Sequence, residues 1–235
     1  MIDNLMRDIA EILLPEKNTC LVCGYKASYI GSSHICMHCE SLLPRLEGLL
    51  CARCSKPMEN DGDLCNECIR MEKVFERSLA LFQYKGKAKE LINDFKYHNK
   101  SHLYKMFGYQ MVQFLNNKNE IDIDAVVPVP IHKSKELKRG YNQSALLASY
   151  ISFNLSLPMV KLIKRNKETK PQSQLRGYAR WSNMADAFSI LDRRHVPHKL
   201  LLVDDIYTTG STVNECSKVL KQNGANQIIC LTIAR

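Results

Sequence analysis

Leu200-Leu201-Leu202-Val203 runs directly into Asp204-Asp205, and Ile206-Tyr207 leads on to Thr208-Thr209-Gly210-Ser211-Thr212. A continuous apolar run is the pattern of a strand buried on both faces. Such a strand would deliver two adjacent carboxylates to the carboxyl edge of an open α/β sheet, where ligands bind. Neighbouring strand residues point to opposite sides, so the two acids can take different roles. Carboxylates accept hydrogen bonds from vicinal ribose hydroxyls. Downstream, Gly210 permits a tight turn against a ligand. The hydroxyls of Thr208, Thr209, Ser211 and Thr212, with the amides of 208–212, can wrap an anion. A helix starting there favours phosphate at its N-terminus, and Thr212 and Glu215 have capping-box spacing. This chemistry suits a ribose 5-phosphate. An ordinary strand–turn–helix with a threonine-rich cap would explain the hydroxyls but not the double acid. Neither a GxxxxGK[ST] loop nor a GxGxxG fingerprint occurs.

A second chemistry lies upstream. Eight of the ten cysteines form four CxxC pairs: Cys20/Cys23, Cys36/Cys39, Cys51/Cys54 and Cys65/Cys68. Two such knuckles complete a tetrahedron around zinc. The spacing predicts two consecutive zinc ribbons, Cys20/Cys23 with Cys36/Cys39 and Cys51/Cys54 with Cys65/Cys68; a cross-braced pairing is the alternative. A redox dithiol normally occurs once beside a βαβ pattern, which this segment lacks; four-cysteine iron–sulfur ligation is the other alternative. With every position filled by sulfur, both zinc ions are expected to be structural. His34 and His38 read as surface residues rather than ligands. Cys216 and Cys230 stand apart and read as buried thiols.

The elements that must position these residues follow from hydrophobic periodicity. Residues 2–13 read as a short amphipathic helix. Strands are predicted at 78–84, 124–129, 199–206 and 227–234, with a weaker one near 159–163. Helices are predicted at 87–97, 102–116, 142–153 and 212–222. Residues 164–182 are polar, basic and irregular, the composition of a loop. Strands alternating with helices indicate an α/β domain with a mostly parallel sheet. The expected division is residues 1–72, helix and zinc module, and residues 73–235, the α/β domain. The chain has 235 residues and carries 33 Lys and Arg against 24 Asp and Glu, a net charge of +9. A surplus of this size suits a polyanionic partner such as nucleic acid, although a solvated lysine-rich surface accounts for it equally well. Lys85, Lys87, Lys89, Lys96, Tyr97 and Lys100 mix cations with an aromatic ring, as single-strand binding requires; an ordinary helix surface is the plainer reading. No apolar run is long enough to cross a bilayer and no signal-peptide pattern opens the chain. A cytoplasmic protein is expected.

Val203–Thr212 resembles the phosphoribosyl-pyrophosphate signature of type I phosphoribosyltransferases, a likeness covering about 78–235. Joined to the double zinc ribbon, the whole chain resembles the ComF family. Further shared segments are Phe82–Gly86, Ile92–Tyr97, Val127–Pro130 with Arg139–Gln143, and Thr169–Leu175 with Arg180. The resemblance implies a type I phosphoribosyltransferase-like, mostly parallel sheet with helices on both faces. It implies that Asp204 and Asp205 hold the ribose hydroxyls and that Thr208, Thr209, Gly210, Ser211 and Thr212 hold the 5-phosphate of phosphoribosyl pyrophosphate. It places the pyrophosphate loop after Val129 and Pro130, and a closing loop at 165–180. Arg139, Arg165, Lys167, Arg176 and Arg180 become candidates to neutralise pyrophosphate, with Mg²⁺ as its companion. In that family setting the partners would be single-stranded DNA and a competence helicase of the ComFA type, with recruitment to the inner face of the membrane at the DNA-uptake machinery. The competing expectation is a phosphoribosyltransferase acting on a small nitrogenous base. No acceptor pocket is legible in the sequence.

Overall fold

The computed structural model describes residues 18–27, 30–59, 61–118, 121–167, 187–191 and 195–235. The predicted helix at 2–13 and most of the predicted loop at 164–182, with Arg176 and Arg180, lie outside them.

Along the chain, a 3₁₀ turn at Gly31–Ser33 precedes α1 (Met37–Ser41), and α2 (Asn66–Arg70) follows in the second ribbon. Then come β1 (Arg77–Phe82), α3 (Gly86–Tyr97), α4 (Leu103–Asn116), β2 (Ala125–Pro128), α5 (Lys133–Arg139) and α6 (Gln143–Leu155). The remainder is β3 (Ile163–Arg165), β4 (Phe188–Ile190), β5 (Lys199–Ile206), α7 (Ser211–Lys221) and β6 (Gln227–Ala234). Strands β1, β6, β5 and β2 lie side by side in that order, all parallel.

The apolar run predicted to be buried on both faces is so: Leu200, Leu201, Leu202 and Val203 are all in the core. Alternation sorts them. Leu201 and Val203 join Ile229, Leu231 and Val126 against the helices α3, α4 and α6. Leu200 and Leu202 join Ile228, Cys230 and Val127 against α7 and the β3–β4 hairpin. Each fully buried Leu or Ile contributes about 1.5–3 kcal/mol, which fixes the register of the central strand and so the level at which its acids emerge. Helices α4 and α6 approach closely because Gly108 leaves room for the Tyr150 ring.

An exposed parallel sheet has two vulnerable edges. Here the zinc module covers the β1 edge. Leu46 N–H donates to the Leu81 carbonyl at 2.9 Å, Gln83 N–H to the Pro44 carbonyl at 2.8 Å, and Ser78 N–H to the Arg53 carbonyl at 2.7 Å. The two ribbons split between the faces. Cys20, Cys39 and Ile35 belong to the core under α4, whereas Cys51, Cys54, Cys65 and Cys68 belong to the core under α7. Arg45 ties the first ribbon to α4 by donating to Gln110 Oε1 at 2.8 Å and Glu40 Oε1 at 3.0 Å.

At the β2 edge the expectation of a strand at 159–163 is corrected. Pro158 has no N–H to give a ladder. The chain meets β2 only briefly, where Val126 N–H donates to the Pro158 carbonyl and Val160 N–H to the Val126 carbonyl, each at 2.9 Å. It then leaves the sheet, and the strand proper, Ile163–Arg165, pairs antiparallel with β4.

Candidate functional site

Strand β5 ends as expected, with Asp204 and Asp205 at the carboxyl edge of the sheet. They differ in environment. Asp204 Oδ1 accepts from the Ser144 hydroxyl at 3.0 Å and from the Asp205 amide at 2.9 Å. Asp205 Oδ1 is paired with Lys96 Nζ at 2.9 Å, the two side chains being 14% and 15% exposed. Burial, and next the Asp205 charge, push the Asp204 carboxyl up to about 7, with Lys96 opposing. Burial works against the charge on Lys96, but the Asp205 carboxylate more than restores it and its pKa rises. Lys96 therefore serves the acid pair; it was expected among the nucleic-acid candidates of the helix surface. The ion pair at this strand end is largely enclosed.

The hydroxyl loop follows. Gly210, at φ 78°, is the residue before α7 and has no side chain with which to cap it. The predicted capping box is thus not the start signal: the helix begins at Ser211, and Glu215 pairs with Lys218 at 2.6 Å. A left-handed backbone favours glycine. A Cβ on Gly210 would also sit 2.2 Å from the Tyr207 hydroxyl oxygen. Ser211 N–H donates to Thr209 Oγ1 at 3.4 Å, and the Thr209 hydroxyl donates to Ser211 Oγ at 3.2 Å. Thr208 is exposed, Thr209 and Thr212 half-buried, and Ser211 buried. The hydroxyl loop and the helix N-terminus lie at the same end of β5 as the carboxylates.

Val129 and Pro130 follow β2 at the same edge. Val129 N–H donates to the Val203 carbonyl at 2.9 Å, and its carbonyl accepts from Asn142 Nδ2 at 3.1 Å. Asn142 also caps α6 through Ser144 N–H, so one residue ties the loop to the helix that carries Ser144. Arg139 bonds Gln143 Oε1 at 3.0 Å and covers the Tyr97 ring at 5.0 Å. Arg165 lies 5.4 Å over the Phe188 ring, and burial lowers its pKa against the opposing effects of Cys216 and Asp204. Lys167 is exposed. Of the remaining basic candidates, Lys85 and Lys89 are exposed. Lys89 approaches the Tyr84 ring at 5.9 Å. Lys87 pairs with Glu90, and Lys100 with Asp94, each at 2.7 Å. Ser144 was not anticipated. Its helix-cap spacing is local, whereas its partnership with Asp204 spans the fold.

Both cysteine quartets close as predicted, Cys20, Cys23, Cys36 and Cys39 in one, Cys51, Cys54, Cys65 and Cys68 in the other, with the sulfurs of each within 4.8 Å of one another. Zinc–sulfur bonds of 2.3 Å in a tetrahedron require edges of about 3.8 Å. The Cys23–Cys36 and Cys54–Cys65 sulfurs stand 3.9 and 3.6 Å apart. Cross-bracing is thereby excluded, and each quartet has room for a single ion. Amide donors prepare both sets: Cys36 N–H to Cys20 Sγ at 3.4 Å and Cys65 N–H to Cys51 Sγ at 3.3 Å. Burial disfavours the thiolates; at Cys20 and Cys51 these bonds, with two further knuckle amides each, outweigh it and lower the pKa to about 7, whereas burial raises Cys39, Cys54 and Cys68. The residues fit two structural zinc ions.

Comparison with known proteins agrees with this layout. A double zinc ribbon domain model matches residues 9–69. Competence protein F of Haemophilus influenzae is 28% identical over 88% of this chain and 93% of its own length. DNA utilization protein YhgH of Escherichia coli is 27% identical over 93% and 98%, and competence protein ComFC of Bacillus subtilis 24% over 86% and 84%. Among solved structures, the APRTase from Giardia lamblia overlays 58% of this chain and 86% of its own at 11% identity and a TM-score of 0.38, too slight a likeness to argue from. The sequence likeness runs through both ribbons and the sheet alike, and the chain is a homologue of proteins named competence protein F, ComFC and YhgH.

Proposed function

We propose that this protein binds phosphoribosyl pyrophosphate, or a related ribose 5-phosphate, and works as an accessory of DNA uptake in natural transformation. The observation that carries the ligand is the meeting of an enclosed carboxylate pair with a glycine-turned hydroxyl loop at a helix N-terminus. The acids would accept from the vicinal hydroxyls, and residues 208–212 would hold the 5-phosphate. Mg²⁺, when bound with the ligand near Asp204 and Asp205, would supply charge neutralisation to the pyrophosphate. Arg139 and Arg165 are the described cations best placed by sequence to meet pyrophosphate, with Lys167 beyond them. The competence role follows from the names of the relatives and the positive charge. Lys85, Lys89 and the Arg139–Tyr97 stack offer cations and a ring to a single strand. A ComFA-type helicase is the protein partner this reading implies.

Calorimetric titration with Mg²⁺ and phosphoribosyl pyrophosphate tests the ligand, with Asp204→Asn as the control. Asparagine keeps an acceptor for Ser144 but removes the ionised group. Binding should fall at least tenfold. Stability should hold or rise at pH 8, because a carboxyl with a raised native pKa destabilises the native state once ionised. Equal affinity in the two proteins would remove the assignment. Single-stranded DNA affinity that falls steeply with salt supports the second half of the proposal; release of pyrophosphate with a nitrogenous base would instead favour transfer chemistry.

A further inference from the structure

The two cysteine quartets are not equivalent, because the second one shares its core with Tyr207, the residue that leads into the hydroxyl loop. Lys73 is only 5% exposed, and its ammonium donates to the Thr209 carbonyl at 3.3 Å. A buried ammonium requires negative charge around it. Burial pulls the Lys73 pKa down, and Cys68, Cys54, Glu67 and Cys65 oppose it only in part. Arg235 is a second cation at the same quartet. Its Nη1 donates to the Cys54 carbonyl and lies 3.1 Å from Cys54 Sγ, while its guanidinium covers the Tyr207 ring at 5.2 Å. Tyr207 opens the hydroxyl loop and meets Phe75 edge-on at 6.3 Å. Val74 N–H donates to Asn214 Oδ1, in the first turn of α7, at 2.9 Å. The first quartet packs under α4 on the opposite face of the sheet.

We propose that the metal of the second quartet sets the conformation of the hydroxyl loop, with Lys73 and Arg235 as positioning residues. Zinc in four thiolates is a net dianion, and two cations face it. One of them ends on a carbonyl of the loop, and the other lies over the ring that Gly210 turns against. Zinc is what keeps the four ionised sulfurs together. When it leaves, the charge that both cations face disperses, and the loop loses two of its fixed points while the sheet keeps its hydrogen bonds. The consequence for ligand affinity rests on the phosphate reading above; the effect on the loop does not.

The test is amide hydrogen exchange over residues 207–214 in the full, zinc-loaded chain, alongside zinc content and ribose 5-phosphate affinity. Lys73→Met should retain both metal ions yet exchange about tenfold faster in this segment and bind about tenfold more weakly, the loss expected for one charged hydrogen bond. Lys73→Arg, which keeps the charge and a donor, should stay within about threefold of the parent in exchange. Arg235→Gln keeps its main-chain bonds to Phe82 and Tyr84, and so serves if Lys73→Met does not fold; it should also speed exchange. Cys23→Ser, in the first quartet, should leave the segment unchanged. Parent-like exchange in both Lys73→Met and Arg235→Gln, or an equal acceleration by Cys23→Ser, overturns the proposal. A parent protein that fails to bind ribose 5-phosphate would sink the ligand reading, while the exchange data would still decide this one.

Discussion

Replacing Lys96 by methionine removes the ammonium 2.9 Å from Asp205 and keeps the length of the side chain. At that separation and an effective dielectric of about 20, the gross attraction is about 6 kcal/mol. Desolvation of both groups cancels much of it, leaving a net effect of about 1.5–3 kcal/mol for a charged hydrogen bond in a largely enclosed site. Asp204 is already pushed up to about 7 by burial and then by Asp205, with Lys96 the group that restrains it. At about 1.4 kcal/mol per pKa unit, losing that restraint should let Asp204 hold its proton to a pH roughly one to two units higher. Binding of ribose 5-phosphate, measured calorimetrically from pH 5.5 to 9.5 without Mg²⁺, should strengthen as Asp204 ionises. The midpoint should lie near 7 in the parent and between about 8 and 9 in the variant. The phosphate of the ligand titrates identically in both experiments and drops out of the difference. The stability effect has a defined sign. The native pKa exceeds the unfolded value, so stability is full below the unfolded pKa and is lost as pH rises through the native one. Lys96→Met should therefore be most destabilised at alkaline pH and approach the parent in acid. A midpoint that stays put or moves down refutes the coupling.

Gly210→Ala would force a side chain into a left-handed backbone and set its Cβ 2.2 Å from the Tyr207 hydroxyl oxygen; ribose 5-phosphate titration should show binding abolished, with circular dichroism unchanged. Gly108→Ala would place a methyl 2.6 Å from the Tyr150 ring, prying α4 from α6, and should cost about 1–3 kcal/mol in urea unfolding without altering ligand affinity measured below the transition. Metal analysis should find two zinc ions per chain, and chelation should lower the thermal midpoint, since both quartets carry core residues against the sheet; a single ion, or an unchanged midpoint after complete removal, contradicts that role.

Much of this arrangement is written locally. A run such as Leu200–Val203 can bury both faces only in a central strand, and each CxxC bends its own knuckle, so the sheet, the acids at its edge and the metal chemistry are legible within short windows. The hydroxyl loop is legible for the same reason, since Gly210 must supply the turn wherever the chain goes. The start of α7 was misread at the capping box because threonine and glutamate at capping-box spacing do not settle which residue caps, and here the left-handed Gly210 does. The short strand after Pro158 was displaced because its partner, β4, lies far along the chain and leaves no trace in the local pattern.

What only the tertiary structure decided is which distant residues share an environment. Lys96 has the spacing of any exposed helix lysine, yet folding carries it to Asp205, where it opposes the rise that burial and Asp205 impose on Asp204. Ser144 reaches Asp204 from α6, and Lys73, from the end of the second ribbon, reaches the Thr209 carbonyl. Periodicity and motif spacing report the conformation of neighbours along the chain; the electrostatics of a site depend on groups brought together through space, and those pairings exist only once the layers have packed.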